Sequence, residues 1–403
     1  ARPRPRTEMQ DETEPVRLPL DTCAVQNWLS AHGHAFKDVR VLAQFGAGQS
    51  NPTYLLQCTK AAGEQTKLVL RRKPPGELLP SAHDVAREHR VLAALQGSRV
   101  PVPRVWGLCT SELVLGVPFY VMEYVAGRVL SDERLPGLAP KERTAIWTSA
   151  VQVLAALHSV DFRAVGLERH GKVGGGGYAK RQLEVWSRQF GAVDGLVRAH
   201  GAVDALAKAS DEMLRLQAWL KSSLGVFVGH EEPTCIVHGD YRLGNLLLEP
   251  RSPRVSAVLD WEISTLGHPL SDLAYFLAAW HTPAEMGGLR TEPPPGTPSE
   301  ETLLQLYAAA RGQPVAPPRV RAFFRALMWQ RKAAIAHGVY ARALQGNAAA
   351  SDASEYGRAF CAMVALGVEA MQELQRDGGD GQGGWVGGGE RGGGASRAPA
   401  ARL

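Results

Sequence analysis

The stretch Val237-His238-Gly239-Asp240-Tyr241-Arg242-Leu243-Gly244-Asn245, followed by Val258-Leu259-Asp260-Trp261-Glu262, decides the reading of this chain. Each Asp follows a short apolar run, Cys235-Ile236-Val237 before Asp240 and residues 255–259 before Asp260. Runs of that length bounded by turn residues read as strands, so both carboxylates are expected just past strand ends. Asn245 stands five residues after Asp240, immediately before Leu246-Leu247-Leu248. Phosphoryl transfer asks a protein mainly to position the attacking hydroxyl and to neutralise phosphate charge. A D-x-x-x-x-N loop followed by a second Asp supplies both. Asp240 is the candidate base that accepts the hydroxyl proton. Asn245 and Asp260 offer hard oxygen ligands to Mg²⁺, and Arg242 offers a planar fork of donors to the transferring group. A loop of capping Asp and Asn residues gives the same letters, but H-G-D before it and V-L-D-W-E after it weigh against that reading. A hydrolytic metal centre on His238, Asp240 and Asp260 leaves Asn245 without a task.

Working upstream, residues 39–42 and 54–57 read as strands joined by a turn containing Gly46, Gly48 and Ser50. Such a turn lets backbone N–H groups approach phosphates, although the third glycine of G-x-G-x-x-G is missing and a plain hairpin fits the same letters. The strand at residues 68–71 ends in Arg71, at the place where kinases carry a phosphate-anchoring lysine; Arg72 and Lys73 are alternatives. Ser81-Ala82-His83-Asp84 resembles a capping box opening a helix to Leu95. Glu88 on it is the candidate partner for Arg71. In a kinase the apolar strand at residues 119–125 would be the hinge, whose backbone around Glu123 and Val125 binds adenine; an ordinary buried strand gives the same pattern. Pro140 opens a helix whose stripe Ile146, Ala150, Val153, Leu154 and Leu157 faces a core, and His158 after it reads as a packed or capping residue.

Composition limits the rest. The 403 residues carry a net charge of +5 with no basic run long enough to argue for nucleic acid, and a small positive excess suits an anionic substrate. Five cysteines, odd in number and without C-x-x-C spacing, read as reduced thiols of an intracellular protein. No apolar stretch is long enough to span a bilayer. Residues 377–403 hold 11 of the 43 glycines and are expected to form a disordered tail. Downstream helices are expected at residues 301–311, 320–344 and 351–375. On the second of these, Arg331 and Lys332 are adjacent and cannot both face the same direction, whereas Arg325 and Lys332 are seven apart and can share a face.

With these pieces in order the chain resembles the aminoglycoside phosphotransferase/choline kinase-like family across roughly residues 38–370. Residues 49–54, 71–76, 118–123 and 258–270 are also similar, as whole phrases, to the kinase-like domain that precedes the dehydrogenase in certain members of the acyl-CoA dehydrogenase family. The resemblance implies an α+β, protein-kinase-like bilobal fold. A leading segment at 1–37 would precede a sheet-plus-helix N-lobe at 38–126, a mainly helical C-lobe at 127–376 and the tail at 377–403. It implies ATP with Mg²⁺, and an acceptor hydroxyl, that of a 4-hydroxyacyl-CoA in particular. Carried over, Asp240 is the base with Arg242 beside it, and Asn245 and Asp260 bind the metal. Gly46, Gly48, Ser50, Arg71, Glu88, Glu123 and Val125 hold the nucleotide. The family suggests a peroxisomal or mitochondrial setting. The dehydrogenase part is expected to be absent from this chain. A non-catalytic ATP-binding or interaction module is the rival from another class, and within the kinase class choline or an aminoglycoside-like compound is the alternative acceptor; the intact Asp240, Asn245 and Asp260 favour an enzyme.

Overall fold

The computed structural model describes residues 13–14, 16, 18–45, 51–74, 84–172, 177–200, 204–228, 233–346 and 353–376. The chain enters through β1 (Thr13–Glu14), α1 (Thr22–Ala31), β2 (Lys37–Phe45), β3 (Thr53–Thr59) and β4 (Gln65–Arg72). It continues through α2 (Val85–Leu95), β5 (Val105–Cys109), α3 (Glu112–Leu115) and β6 (Phe119–Glu123). These strands form one antiparallel sheet in the order β1-β2-β3-β4-β6-β5. Because side chains alternate across a strand, the sheet has two working faces. Tyr54, Leu56, Leu68, Leu70, Phe119 and Val121 pack with Val25, Trp28 and Leu29 of α1 on one of them. Tyr120 joins Val85, Val91, Leu92 and Leu95 of α2 on the other. Helix α2 is capped by Asp84 itself, whose carboxylate accepts from the N–H groups of Ala86 and Arg87. Ser81, Ala82 and His83, assigned to a capping box from sequence, lie outside the described residues, as does the stretch expected to be a tail.

Past β6 the chain crosses at Gly127, where an added Cβ would come within 2.4 Å of the Leu248 carbonyl oxygen, so the two backbones meet there only because the side chain is a hydrogen. It then forms β7 (Arg128–Val129), α4 (Pro140–His158), α5 (Tyr178–Ala199), α6 (Asp204–Phe227), β8 (Cys235–Val237), β9 (Leu246–Leu248), β10 (Val255–Val258) and β11 (Thr265–Gly267). A 3₁₀ turn at Leu243–Asn245 stands between β8 and β9, and α7 (Pro269–Phe276), α8 (Ala278–His281), a 3₁₀ turn at Ala284–Met286, α9 (Glu300–Arg311), α10 (Pro318–Leu344) and α11 (Ala353–Arg376) follow among the described residues. Strands β10-β9-β7 make a small sheet and β11-β8 a ribbon, all pairs antiparallel. The helices pack on these around Trp147, Phe276, Phe323 and Phe324, which are buried together. This is the bilobal, kinase-like α+β arrangement expected, with the cleft between the first sheet and the β8–β11 loops. Of the apolar stripe read on α4, Ile146, Ala150, Leu154 and Leu157 are fully buried, while Val153 is only partly so and lines an open groove behind the lobes.

Candidate active site

Cross-strand pairing explains the upper wall of the cleft. Arg71 on β4 lies opposite Tyr120 on β6, so the two side chains point to the same face, toward α2. Arg71 Nε approaches Glu88 Oε2 to 2.8 Å, and Glu88 is 2% exposed. The Nε–H points off that line, so the contact is an ion pair rather than an aligned hydrogen bond. Glu88 also accepts from Asn51 Nδ2 at 2.7 Å and from the Tyr120 hydroxyl at 3.0 Å. Burial pushes the Glu88 carboxyl upward, against the opposing pull of Arg71, Asn51 and Tyr120. Burial by itself would lower Arg71, yet Glu88, then Tyr120, Asp260 and Glu262, hold it well above its ordinary value. Arg72, the alternative, turns to the other face, over the Tyr54 ring at 5.3 Å. Gly46, Gly48 and Ser50 lie outside the described residues.

The lower wall is set by loops. Asn245 Nδ2 donates to Asp240 Oδ2 at 2.7 Å and to the Asp240 carbonyl at 2.8 Å, closing the five-residue loop on itself. The Asn245 carbonyl accepts from Leu259 N–H at 2.9 Å, which carries the loop to Asp260. Asp260 adopts φ +64°, a left-handed conformation that Asp tolerates better than most residues. Its Oδ1 meets Arg71 Nη2 at 3.3 Å, and Glu262 Oε2 stands 3.6 Å from the same nitrogen. Arg242 Nε is 3.5 Å from Asp240 Oδ2, and its side chain is 44% exposed, free to turn toward a ligand. The structure thus gathers Asp240, Arg242, Asn245, Asp260, Arg71 and Glu88 into one connected set. Glu123 ends β6 with its N–H bonded to the Arg104 carbonyl at 2.7 Å, so that donor is taken. The Val125 backbone has no partner among the described residues.

His238 Nε2 lies 2.8 Å from the Leu259 carbonyl and Nδ1 3.2 Å from Asp240 N–H, so Nε2 carries the proton and Nδ1 accepts. With both nitrogens engaged it is no metal ligand, and the hydrolytic-centre alternative loses its first member.

Sequence reasoning missed two residues, both on α7. Asp272 is 1% exposed and accepts from His238 N–H at 2.6 Å and Gly239 N–H at 2.8 Å, with His158 Nε2 at 3.3 Å. Burial would raise its carboxyl, but the His158 hydrogen bond, the neighbouring His158 and His238 rings, and the Gly239 amide bring it below the ordinary value. Asp272 therefore holds the loop from behind; Gly239 serves it at φ +87°, a conformation that glycine adopts freely. His158 is packed, as expected: buried, and bonded also to the Tyr307 hydroxyl at 2.6 Å. Three residues after Asp272, Tyr275 turns toward Asp240, whose charge and hydrogen bonding oppose the phenol's ionisation after burial has already done so. Nothing in the letters marks Asp272 or Tyr275, because each acts across elements far apart in the chain.

The expectation about the cations of α10 is corrected. Arg331 and Lys332 do not diverge: both close on the Tyr275 ring, at 5.7 and 5.1 Å. Their long stems bridge the 100° between adjacent helical positions. Arg325 points elsewhere, paired with Glu373 and close to His281.

Residues 41–323 match the profile of the phosphotransferase enzyme family. The chain belongs to that family. The phosphotransferase is 39% identical over 341 residues to acyl-CoA dehydrogenase family member 11 of Rattus norvegicus, covering 83% of this chain and 41% of that protein. It is likewise 39% identical over 341 residues to member 10 of Mus musculus, covering 83% of this chain and 29% of that protein. It therefore spans well under half the length of these curated relatives. Among solved structures it is similar to a protein from Ralstonia eutropha described provisionally as an aminoglycoside phosphotransferase. The two share 36% identity and a TM-score of 0.73, over 88% of this chain and 99% of that one. Membership makes the chain a small-molecule kinase: an enzyme that moves a phosphoryl group from a nucleotide to a hydroxyl. No helix among the described residues is long and apolar enough to cross a membrane.

Proposed function

We propose that this phosphotransferase moves the γ-phosphoryl group of ATP to the hydroxyl of a 4-hydroxyacyl-CoA. The observation that carries the catalytic part is the continuous set from Glu88 through Arg71 to Asp260, and from Leu259 through Asn245 to Asp240. Asp240 takes the proton of the acceptor hydroxyl as its oxygen forms a bond to the γ-phosphorus; the bond from that phosphorus to the bridging oxygen breaks, and ADP departs. Arg71, fixed by Glu88, anchors the nucleotide phosphates, and exposed Arg242 stabilises charge on the group in flight. The donor set fits Mg²⁺, which prefers hard oxygens and draws the remainder of its shell from phosphates and water. Asn245 and Asp260 are the residues that would hold it, and the ion would supply neutralisation of phosphate charge. Gly46, Gly48 and Ser50 would cover the phosphates and the backbone around Glu123 and Val125 would receive adenine.

The acceptor rests on likeness to the dehydrogenase family members, whose names bear on acyl-CoA chemistry, and on the cations beside Asp240. The test is transfer of label from γ-labelled ATP by the purified chain to a 4-hydroxyacyl-CoA, run beside choline and an aminoglycoside. Transfer to the acyl-CoA with little to the other two is expected. Efficient phosphorylation of choline or the aminoglycoside alone would replace the acceptor and leave the kinase chemistry; no ATP consumption with any of them would remove both.

A further inference from the structure

Helix α10 brings two cations toward Asp240, and neither has an ion-pair partner among the described residues. Arg331 meets rings only, that of Trp186 at 5.4 Å and that of Tyr275 at 5.7 Å. Its Nε is buried and donates to nothing among the described residues. Lys332 is partly buried, with its Nζ 5.1 Å from the centre of the Tyr275 ring and 5.0 Å from that of Trp329. Neither forms a salt bridge to a carboxylate among the described residues, although Asp240 and Glu133 lie within Coulombic reach of Lys332. Other partly buried or buried cations of the lobe are satisfied in one of two ways: Arg128 is paired with Glu142 and Arg325 with Glu373, whereas Arg134 and Arg143 donate to backbone carbonyls. Taking a cation out of water costs free energy unless an anion compensates. Aromatic faces return only part of that cost. Two such cations converging on one ring, with Arg242 across the loop, leave an excess of positive charge where the acceptor hydroxyl must sit.

We propose that Arg331 and Lys332, set about Tyr275 beside Asp240, form a subsite for an anionic group carried by the acceptor. The substrate class is then a hydroxylated compound bearing a phosphate or a carboxylate, and polyamines and quaternary ammonium alcohols are repelled. This rests on the reading of Asp240 as the base that receives the acceptor hydroxyl. The arrangement also gives Tyr275 a task, as a rigid spacer that keeps the two cations apart while its hydroxyl turns toward Asp240.

The test reads binding, so that it does not depend on turnover. The nucleotide site is saturated with a non-hydrolysable ATP analogue, and the full chain is titrated calorimetrically with 4′-phosphopantetheine, a free 4-hydroxy acid and uncharged pantetheine. One or both anions should bind at least about tenfold more tightly than pantetheine, the scale of a hydrogen bond to a charged group. Preference for phosphopantetheine identifies the phosphate of a carrier, and preference for the hydroxy acid identifies a carboxylate. Lys332→Gln and Arg331→Gln should abolish the preference, Lys332→Arg should retain it, and Arg342→Gln, an exposed site on the same helix, should leave it unchanged. Affinity for the ATP analogue and the melting temperature, measured on each variant, separate loss of the subsite from loss of the fold. Equal binding of all three probes by the parent chain, or a preference untouched in both glutamine variants, overturns the subsite whatever the labelled-ATP assay returns. Absence of phosphoryl transfer with intact anion preference overturns the kinase reading instead.

Discussion

On the cleft wall built by β4 and α2, Arg71 is enclosed by Glu88, Asp260 and Glu262, whereas on the wall built by α7 and α10, Arg331 and Lys332 meet aromatic rings and, among the described residues, no paired carboxylate. The first wall carries its own counter-charges. Its cation is held in one place before any ligand arrives, as suits a ligand whose phosphates always present the same geometry. The second wall leaves its two cations without an ion pair among the described residues, with Asp240 and Glu133 only within Coulombic reach of Lys332, which favours a ligand that brings an anion closer. In the reaction proposed above, the paired wall is the donor side of the cleft and the open wall its acceptor side.

The change with the largest expected effect removes what both walls serve. Asp240→Asn should lower kcat by at least ~10²-fold, the scale of losing a general base, while nucleotide affinity stays near that of the parent. A variant with parental turnover would show that Asp240 belongs to neither wall's chemistry. Next comes Asp272, which fixes the loop between the walls. Asp272→Asn replaces the charged acceptor of two backbone amides and of His158. It should cost about 1–3 kcal/mol of stability and lower kcat by up to ~10² through misplacement of Asp240. Denaturant unfolding together with single-turnover rates checks this; an unchanged rate in a destabilised variant would reduce Asp272 to a structural brace.

The paired wall has its own test. Arg71→Ala and Glu88→Ala should each raise KM for ATP by roughly tenfold, and the double variant should add little, because coupled residues fail together. Strictly additive losses would dissolve the pair and with it the contrast between walls.

The last effect, on stability rather than turnover, concerns the foot of α7, which carries both Asp272 and Tyr275. His268 precedes that helix, accepts from Leu270 N–H at 3.1 Å and, through burial and then the neighbouring His158 and Arg311, has its pKa brought down from 6.5 to about 3. The unfolded chain takes up this proton near the ordinary value and the folded chain does not, so stability falls as pH drops below about 6.5. The slope approaches ~1.4 kcal/mol per pH unit from this group alone. His170, brought down to about 4 by burial and then the charges of Arg87 and Arg90, adds to it. His268→Asn keeps a side-chain acceptor without the titration, so its urea midpoints between pH 7 and 4.5 should decline less steeply than those of the parent. Parallel slopes would place the acid sensitivity elsewhere.

Much of the lower wall was legible because its chemistry is local. Asp240, Arg242 and Asn245 fall within six residues, and a D-x-x-x-x-N loop can close on itself through the Asn245 amide without help from the rest of the chain. Glu88 could be proposed as the partner of Arg71 from the order strand, helix, strand. The choice between Arg71 and Arg72 needed the register that puts Arg71 beside Tyr120. The cations of α10 show the limit of helical geometry: spacing predicts where a Cβ points, whereas a long stem ends where its neighbours permit.

The sequence by itself determined which groups are available for phosphoryl transfer, since strand ends, a closing Asn and apolar periodicity depend on residues a few positions apart. Only the tertiary structure decided which charges meet. The Arg71–Asp260 contact joins residues 189 positions apart, Asp272 reaches the amides of residues more than thirty positions upstream, and Tyr275 gathers Arg331 and Lys332 from another helix. Pairing energy falls steeply once charges are separated by more than a few ångströms of solvent. Packing of the lobes therefore settled that Arg71 is ion-paired and that, among the described residues, Arg331 and Lys332 are not.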